Sequence, residues 1–251
     1  MNTILIGGSG LIGSHIISLF PSVFPKDKLI CLLRSLPEDE SNPSASNQKK
    51  NPNVVSMLFD FENPQAIEKL NWNNVDSLLC TLGTTIKKAG SKQQFEKVDY
   101  AYPLAFAQAA KKHKVPYFSI VTAMGASSNS SIFYNKVKGK LEEELAKLEI
   151  DHLSIFQPSL LMGERKELRP GEEIGKWVSM LMPFGLFGLE KYRPIEGRQV
   201  AIAILRKLKQ DKDTNRNLKQ TSPNKISPSK AKIKSQLEII ESDAIAALGN
   251  E

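Results

Sequence analysis

Residues 4–13 read Ile-Leu-Ile-Gly-Gly-Ser-Gly-Leu-Ile-Gly: a short apolar run enters a glycine-rich turn and leaves it as the start of an amphipathic stretch. In a strand–turn–helix unit of this kind, one glycine permits the tight turn. A second lets backbone N–H groups approach a pyrophosphate, and a third packs helix against strand. Gly7, Gly10 and Gly13 stand at those three places, and Ser9, Leu11 and Ile12 belong to the same turn. The helix that follows presents unsatisfied N–H groups and a partial positive charge to an anion. The turn therefore predicts a dinucleotide-binding βαβ unit, against the plainer alternative of a flexible link between two core elements.

The rest of the chain repeats the theme. Apolar runs at 3–6, 28–33, 54–59, 76–81, 116–122 and 152–156 read as strands, with helical stretches at 13–20, 64–70, 95–113 and 133–148 between them. Alternation of this type is the pattern of a parallel sheet covered on both faces. The expected fold class is α/β, a doubly wound, Rossmann-type parallel sheet with a small C-terminal substrate-side portion. One domain is assigned to residues 1–205, its substrate-side part starting at about 158, where glycine, proline and large apolar residues crowd together. Residues 36–53 are rich in Pro, Ser and Asn and read as a mobile surface loop. Residues 206–236 form a basic segment expected to be disordered, and 237–251 a short C-terminal helix.

Composition narrows the function classes. The formal net charge is +7, but residues 205–236 hold ten lysines and arginines against Asp211 and Asp213, so the whole excess belongs to that segment. It lacks interleaved aromatics, and a solvated tail accounts for the charge better than a nucleic-acid partner does. The two cysteines, Cys31 and Cys80, lie inside apolar runs and read as buried thiols in a reducing compartment. His15, His113 and His152 are scattered, and no metal site is suggested. No apolar run reaches the length of a membrane span and no basic leader precedes the first strand, so a soluble, cytoplasmic protein is expected.

Several further residues carry chemistry. The second strand ends at Arg34, 21 positions beyond Gly13, where an acidic residue would select NAD. A guanidinium there can pair with a 2′-phosphate and stack on adenine, which favours NADP. Asp60 and the pair Leu82-Gly83 stand at carboxyl ends of strands flanking the crevice: Asp60 can hold the adenine amino group or cap a helix, and Gly83 lets backbone pass close to the ribose. Tyr134 and Lys138, at i and i+4, share a helical face. An ammonium beside a phenol favours the phenolate, which makes Tyr134 a candidate proton donor to a carbonyl.

The glycine turn, the loop Leu82-Gly83-Thr84-Thr85, and Tyr134 with Lys138 together resemble an atypical short-chain dehydrogenase/reductase. Lys88-Ala89-Gly90, Val98-Asp99 and Val137-Lys138-Gly139 look like the Tat-interacting-protein branch of oxidoreductases, over roughly residues 1–205. The resemblance implies an NADPH-binding Rossmann fold and a small-molecule carbonyl substrate. Tyr134 would be its general acid/base, and Lys138 would bind the nicotinamide ribose and tune the tyrosine. The family's orienting serine falls at Thr122-Ala123, so Thr122 is the candidate for that hydroxyl, with Ser127 or Ser128 on the next loop as alternatives. Gln157 stands where the family shows an arginine. An NADPH-dependent reductase is the first reading; an NADPH-binding regulatory or scaffold protein, favoured by Ala123, is the second. Substrate identity and oligomeric state are not written in the sequence.

Overall fold

The computed structural model describes residues 1–36, 51–162, 192–221 and 235–250. Along them run β1 (Asn2–Ile6), α1 (Leu11–Val23), β2 (Lys28–Leu33), β3 (Val54–Leu58), α2 (Pro64–Glu68), β4 (Val75–Cys80), α3 (Ile86–Ala89) and α4 (Lys92–Glu96). After them come α5 (Tyr102–Lys112), β5 (Tyr117–Val121), α6 (Phe133–Lys147), β6 (His152–Gln157), β7 (Leu161–Met162) and β8 (Ile195–Glu196). The chain continues with α7 (Gly197–Thr221), β9 (Gln236–Glu241) and α8 (Ser242–Gly249). Seven strands form one sheet in the order β3-β2-β1-β4-β5-β6-β9, every pairing parallel, while β7 and β8 pair separately. This is the doubly wound Rossmann-type α/β fold. The order reverses between β1 and β4, and the carboxyl ends of those two strands open the crevice where such folds bind ligands.

Strands β4 and β5 are buried along their whole length, which their nearly unbroken apolar runs dictate. On one face Leu5, Leu29 and Cys31 pack against Ile16 and Phe20 of α1 and Ala201, Ile204 and Leu208 of α7. On the other, Ile4, Ile6, Leu78 and Phe118 meet Phe106 and Ala110 of α5 and Leu141 and Leu145 of α6. Each of the leucine, isoleucine and phenylalanine side chains contributes about 1.5–3 kcal/mol on leaving water, so two apolar layers of this size hold the sheet's central strands in register.

The structure differs from the sequence expectations in three places. The C-terminal piece is not a helix from 237: Gln236–Glu241 is a seventh strand, parallel to β6, and the helix begins only at Ser242. Leu237 and Ile239 stay half exposed while Ile240 is buried, which is how an edge strand covered on one side looks. The basic segment is not detached up to Thr221, since α7 continues that far. Its cations have partners on the body: Arg206 donates to the carbonyl of Leu248 at 2.7 Å, and Lys207 meets Glu238 at 2.9 Å. Lys212 is buried against Asp76 at 3.0 Å and Asp27 at 3.4 Å, with its ammonium 5.0 Å from the centre of the Phe24 ring. Third, the helix expected over 95–113 is interrupted by a π-helical turn, Lys97–Ala101, between α4 and α5. Most of the polar loop at 36–53, of the substrate-side stretch from 158, and of the basic segment beyond Thr221 lies outside the described residues.

Candidate functional site

The glycine turn sits at the carboxyl end of β1 with contacts that admit no side chain. Gly7 has φ +87°, and a Cβ there would lie 2.5 Å from the backbone of Thr81, the residue following β4. At Gly13 a Cβ would lie 2.3 Å from the carbonyl oxygen of Gly7, so strand and helix touch backbone to backbone. Gly10 closes the turn by donating to the Gly7 carbonyl at 3.0 Å. The first bond within α1 is Ser14 N–H to the Gly10 carbonyl, which leaves the N–H groups of Leu11, Ile12 and Gly13 without intrahelical acceptors. The first turn of α1 has neither an acidic residue nor a side-chain cap, and Ser9 and Gly10 are exposed. A pyrophosphate fits this cradle, because its charge and its acceptor oxygens are what the bare helix end lacks.

Across the crevice, Tyr134, Lys138 and Glu142 lie one turn apart on the same face of α6. Lys138 is 2% exposed, and its Nζ is 2.8 Å from Oδ1 of Asp99, itself fully buried. The other oxygen of Asp99 accepts from the backbone N–H of Thr84 at 2.9 Å, in the loop after β4. Gly83 in that loop is exposed, and a Cβ on it would stand 3.6 Å from Asp99. Asp99 reaches this place from the π-helical turn, whose extra residue rotates the helix and aims the carboxylate inward. Burial works against the charge on Lys138, but the carboxylate of Asp99 and the nearby Tyr134 outweigh it and hold the lysine above its usual pKa. Tyr134 is half buried, its ring tilted against Phe95 with centroids 5.4 Å apart. The i, i+4 spacing thus locates the lysine, while the carboxylate that it pairs with comes from 39 residues earlier. A lone Asp inside the apolar stretch Val98-Asp99-Tyr100 was the only sign of it.

Thr122 has a partner on α6. Its buried hydroxyl donates to Oε1 of Glu142 at 2.5 Å, and Glu142 stands two helical turns beyond Tyr134 in that helix. Nε2 of Gln157 donates to both oxygens of the same carboxylate, at 3.0 and 2.9 Å. Burial pushes the Glu142 carboxyl above the usual range, and the bonds from Thr122 and Gln157 only partly offset it. Of the alternatives for the orienting hydroxyl, Ser128 donates to Glu143, and the backbone of Ser127 lies directly over Gly139.

On the β2–β3 side, Arg34 is exposed at the strand end and close enough to Tyr102 for its charge to act on that phenol. Asp60 caps the turn after β3 by accepting from the N–H of Glu62 at 2.9 Å, and α2 is capped instead by Asn63. Glu62 receives both the ammonium of Lys97 and the hydroxyl of Tyr102, which hold its carboxyl below the usual range. Cys31 and Cys80 are buried, and burial pushes the Cys80 thiol up to about 12. His113 stacks on Trp72, and His152 stacks on Tyr117 with its Nε2 2.7 Å from Nδ2 of Asn215.

The sequence profile of the family described as HIM1 matches residues 45–182. Protein FMP52, mitochondrial, of Candida albicans is 33% identical over 205 residues, 80% of this chain and 84% of that protein. Protein HTATIP2 of Rattus norvegicus is 36% identical over 124 residues, about half of each chain. Among solved structures, UDP-glucose 4-epimerase of Thermotoga maritima superposes with a TM-score of 0.59 at 14% identity, covering 97% of this chain and 91% of its own. The enzyme WbmH of Bordetella bronchiseptica, in complex with NAD+, gives 0.59 at 15% identity, covering 96% and 86%. These structures share the fold. The relatives also correct one expectation: the FMP52 proteins are named mitochondrial, which conflicts with the cytoplasmic placement drawn from the absence of a leader. Among the described residues no helix is long and apolar enough to cross a membrane.

Proposed function

The chain belongs to the HIM1 family, and from that premise we propose that it is an NADPH-dependent oxidoreductase of the atypical short-chain dehydrogenase/reductase type, reducing a small carbonyl compound. The observation that supports this most is the pairing of a bare, cap-free glycine turn on β1 with Tyr134 and the buried Lys138 facing the end of β4. Leu11, Ile12 and Gly13 would hold the pyrophosphate with backbone N–H groups, Gly83 would leave room for the adenosine ribose, and Asp60 would meet the adenine. Arg34 would take the 2′-phosphate. Bound NADPH supplies the hydride. Tyr134 would donate its hydroxyl proton to the carbonyl oxygen as that oxygen gains charge, and Lys138 would hold the nicotinamide ribose. The names of the FMP52 relatives support a mitochondrial location.

The second reading, a cofactor-binding scaffold without turnover, is favoured by one observation: the Thr122 hydroxyl is committed to Glu142 and the next residue is Ala123. Calorimetric titration of NADPH and NADH, followed by NADPH oxidation against a panel of aldehydes, ketones and quinones, decides between the two. Tighter NADPH binding, a preference that Arg34→Ala cuts by about 1–3 kcal/mol, and turnover that Tyr134→Phe abolishes while binding persists are expected for the reductase. Binding with no turnover on any carbonyl leaves the scaffold.

A further inference from the structure

Lys138 and Asp99 form an ion pair that the sequence spacing does not announce, and it lies where charge matters. Contacts run without a break from the glycine turn to this pair. The Thr81 hydroxyl donates to the Gly7 carbonyl at 3.0 Å, Thr84 N–H donates to Asp99, and Asp99 meets Lys138. Lys138 is also near enough to Cys80, the last residue of β4, for each to influence the other. The charged and titratable groups around its ammonium are therefore Asp99 from the π-helical turn, Cys80 from β4, and Tyr134 and Glu142 from the neighbouring turns of α6. Asp99 alone among these is in ion contact with it, and both partners are shielded from solvent, so salt screens the two charges far less than it would at the surface. The pair's charges cancel.

We infer that Asp99 is a positioning residue that balances the affinity for oxidised and reduced cofactor, by cancelling the Lys138 charge that would otherwise disfavour the cationic nicotinamide ring of NADP+. This inference rests on the proposed cofactor site. The oxidised ring carries a positive charge that the reduced ring lacks. An uncompensated ammonium in the crevice repels the first and is nearly indifferent to the second; a bare carboxylate does the reverse. A purely structural Asp99 would weaken both forms alike and leave their ratio unchanged.

The test is calorimetric titration of NADP+ and NADPH against the protein and three variants, read as the ratio of the two dissociation constants. Asp99→Asn keeps an acceptor for Thr84 N–H and removes the charge, so Kd(NADP+)/Kd(NADPH) should rise about tenfold, the scale of one poorly screened unit charge at close range. Lys138→Gln leaves Asp99 bare, and the ratio should fall. The double variant restores neutrality, and its ratio should return towards that of the wild type. Should Asp99→Asn fail to fold, the opposite sign predicted for Lys138→Gln still decides the matter. Ratios that stay at the wild-type value in both single variants, or that move in the same direction, overturn the inference while leaving the cofactor site standing. A wild type that binds neither form overturns the site and the inference together.

Discussion

Glu142 shows how one side chain can work against the fold it belongs to. Its side chain is half-buried, and its two direct partners, Thr122 and Gln157, are neutral. The nearer cation, Lys138, is already bound to Asp99. With its pKa raised above that of the unfolded chain, Glu142 favours the folded state fully only below the ordinary carboxyl pKa near 4.5, and that contribution is lost as pH rises through the folded value. Glu142→Gln keeps an oxygen for the Thr122 hydroxyl, gives the new amide N–H an acceptor once the Gln157 amide turns its oxygen towards it, and removes the charge. Thermal denaturation at pH 8 should show it melting about 2–4 °C above the wild type, the equivalent of about 1 kcal/mol in a chain of this size. The gap should close as the pH is lowered towards 4.5. An unchanged melting point at pH 8 would show that Glu142 is solvated after all. Residue types and spacing made Tyr134, Lys138 and the glycines legible in the sequence. The partners of Lys138 and Thr122 were not, because they come from other elements and a one-dimensional spacing carries no trace of them.

The helix α6 is constrained by what crosses it. The loop between β5 and α6 passes over Gly139 so closely that a Cβ there would lie 2.1 Å from the backbone carbon of Ser127. Alanine is the better helix former by about 1 kcal/mol, so propensity alone predicts that Gly139→Ala stabilises. The contact predicts the opposite: loop and helix must part, at a cost of about 1–3 kcal/mol, and Ser127 and Ser128 shift with the loop. Chemical denaturation checks the sign, and a stabilised variant would mean that the loop is not held against the helix. The π-helical turn at Lys97–Ala101 belongs to the same scale. One extra residue in a hydrogen-bond ladder leaves no mark on composition or on apolar periodicity, and a single continuous helix is what the pattern of residues 95–113 suggests. The edge strand β9 was hidden for a related reason: the adjacent Ile239 and Ile240 in Gln-Leu-Glu-Ile-Ile-Glu break the period-2 alternation of a half-buried strand, and only pairing with β6 tells it from the start of an amphipathic helix.

At the scale of the molecule, α7 ties the end of the chain to the start of the sheet. Lys212 is sunk between Asp76, at the beginning of β4, and Asp27, just before β2. Asp76 also takes a hydrogen bond from the Ser77 hydroxyl at 2.8 Å, which cannot replace a cation. Lys212→Ala should therefore cost about 3–5 kcal/mol, because a buried carboxylate is left without its partner. Adding Asp76→Ala should recover part of that loss rather than double it, which a double-mutant cycle by urea denaturation would register; strictly additive losses would argue against the pair. The strands β1 to β6 were legible in the sequence as apolar runs, and their alternation with helical stretches gave the fold class. The helical course of the basic segment was not, because its many cations look solvated until their anions are found on distant parts of the chain.

The parallel pairing of β6 with β9 also sets a timetable for synthesis. Residues 152–157 leave the ribosome well before residues 236–241, and until the later segment arrives one edge of the sheet has open N–H and C=O groups beside the apolar side chains of Leu153 and Ile155. The crevice between β1 and β4 draws on strands that are complete long before β9 is made, whereas the opposite flank of the sheet keeps an open edge until its last strand pairs.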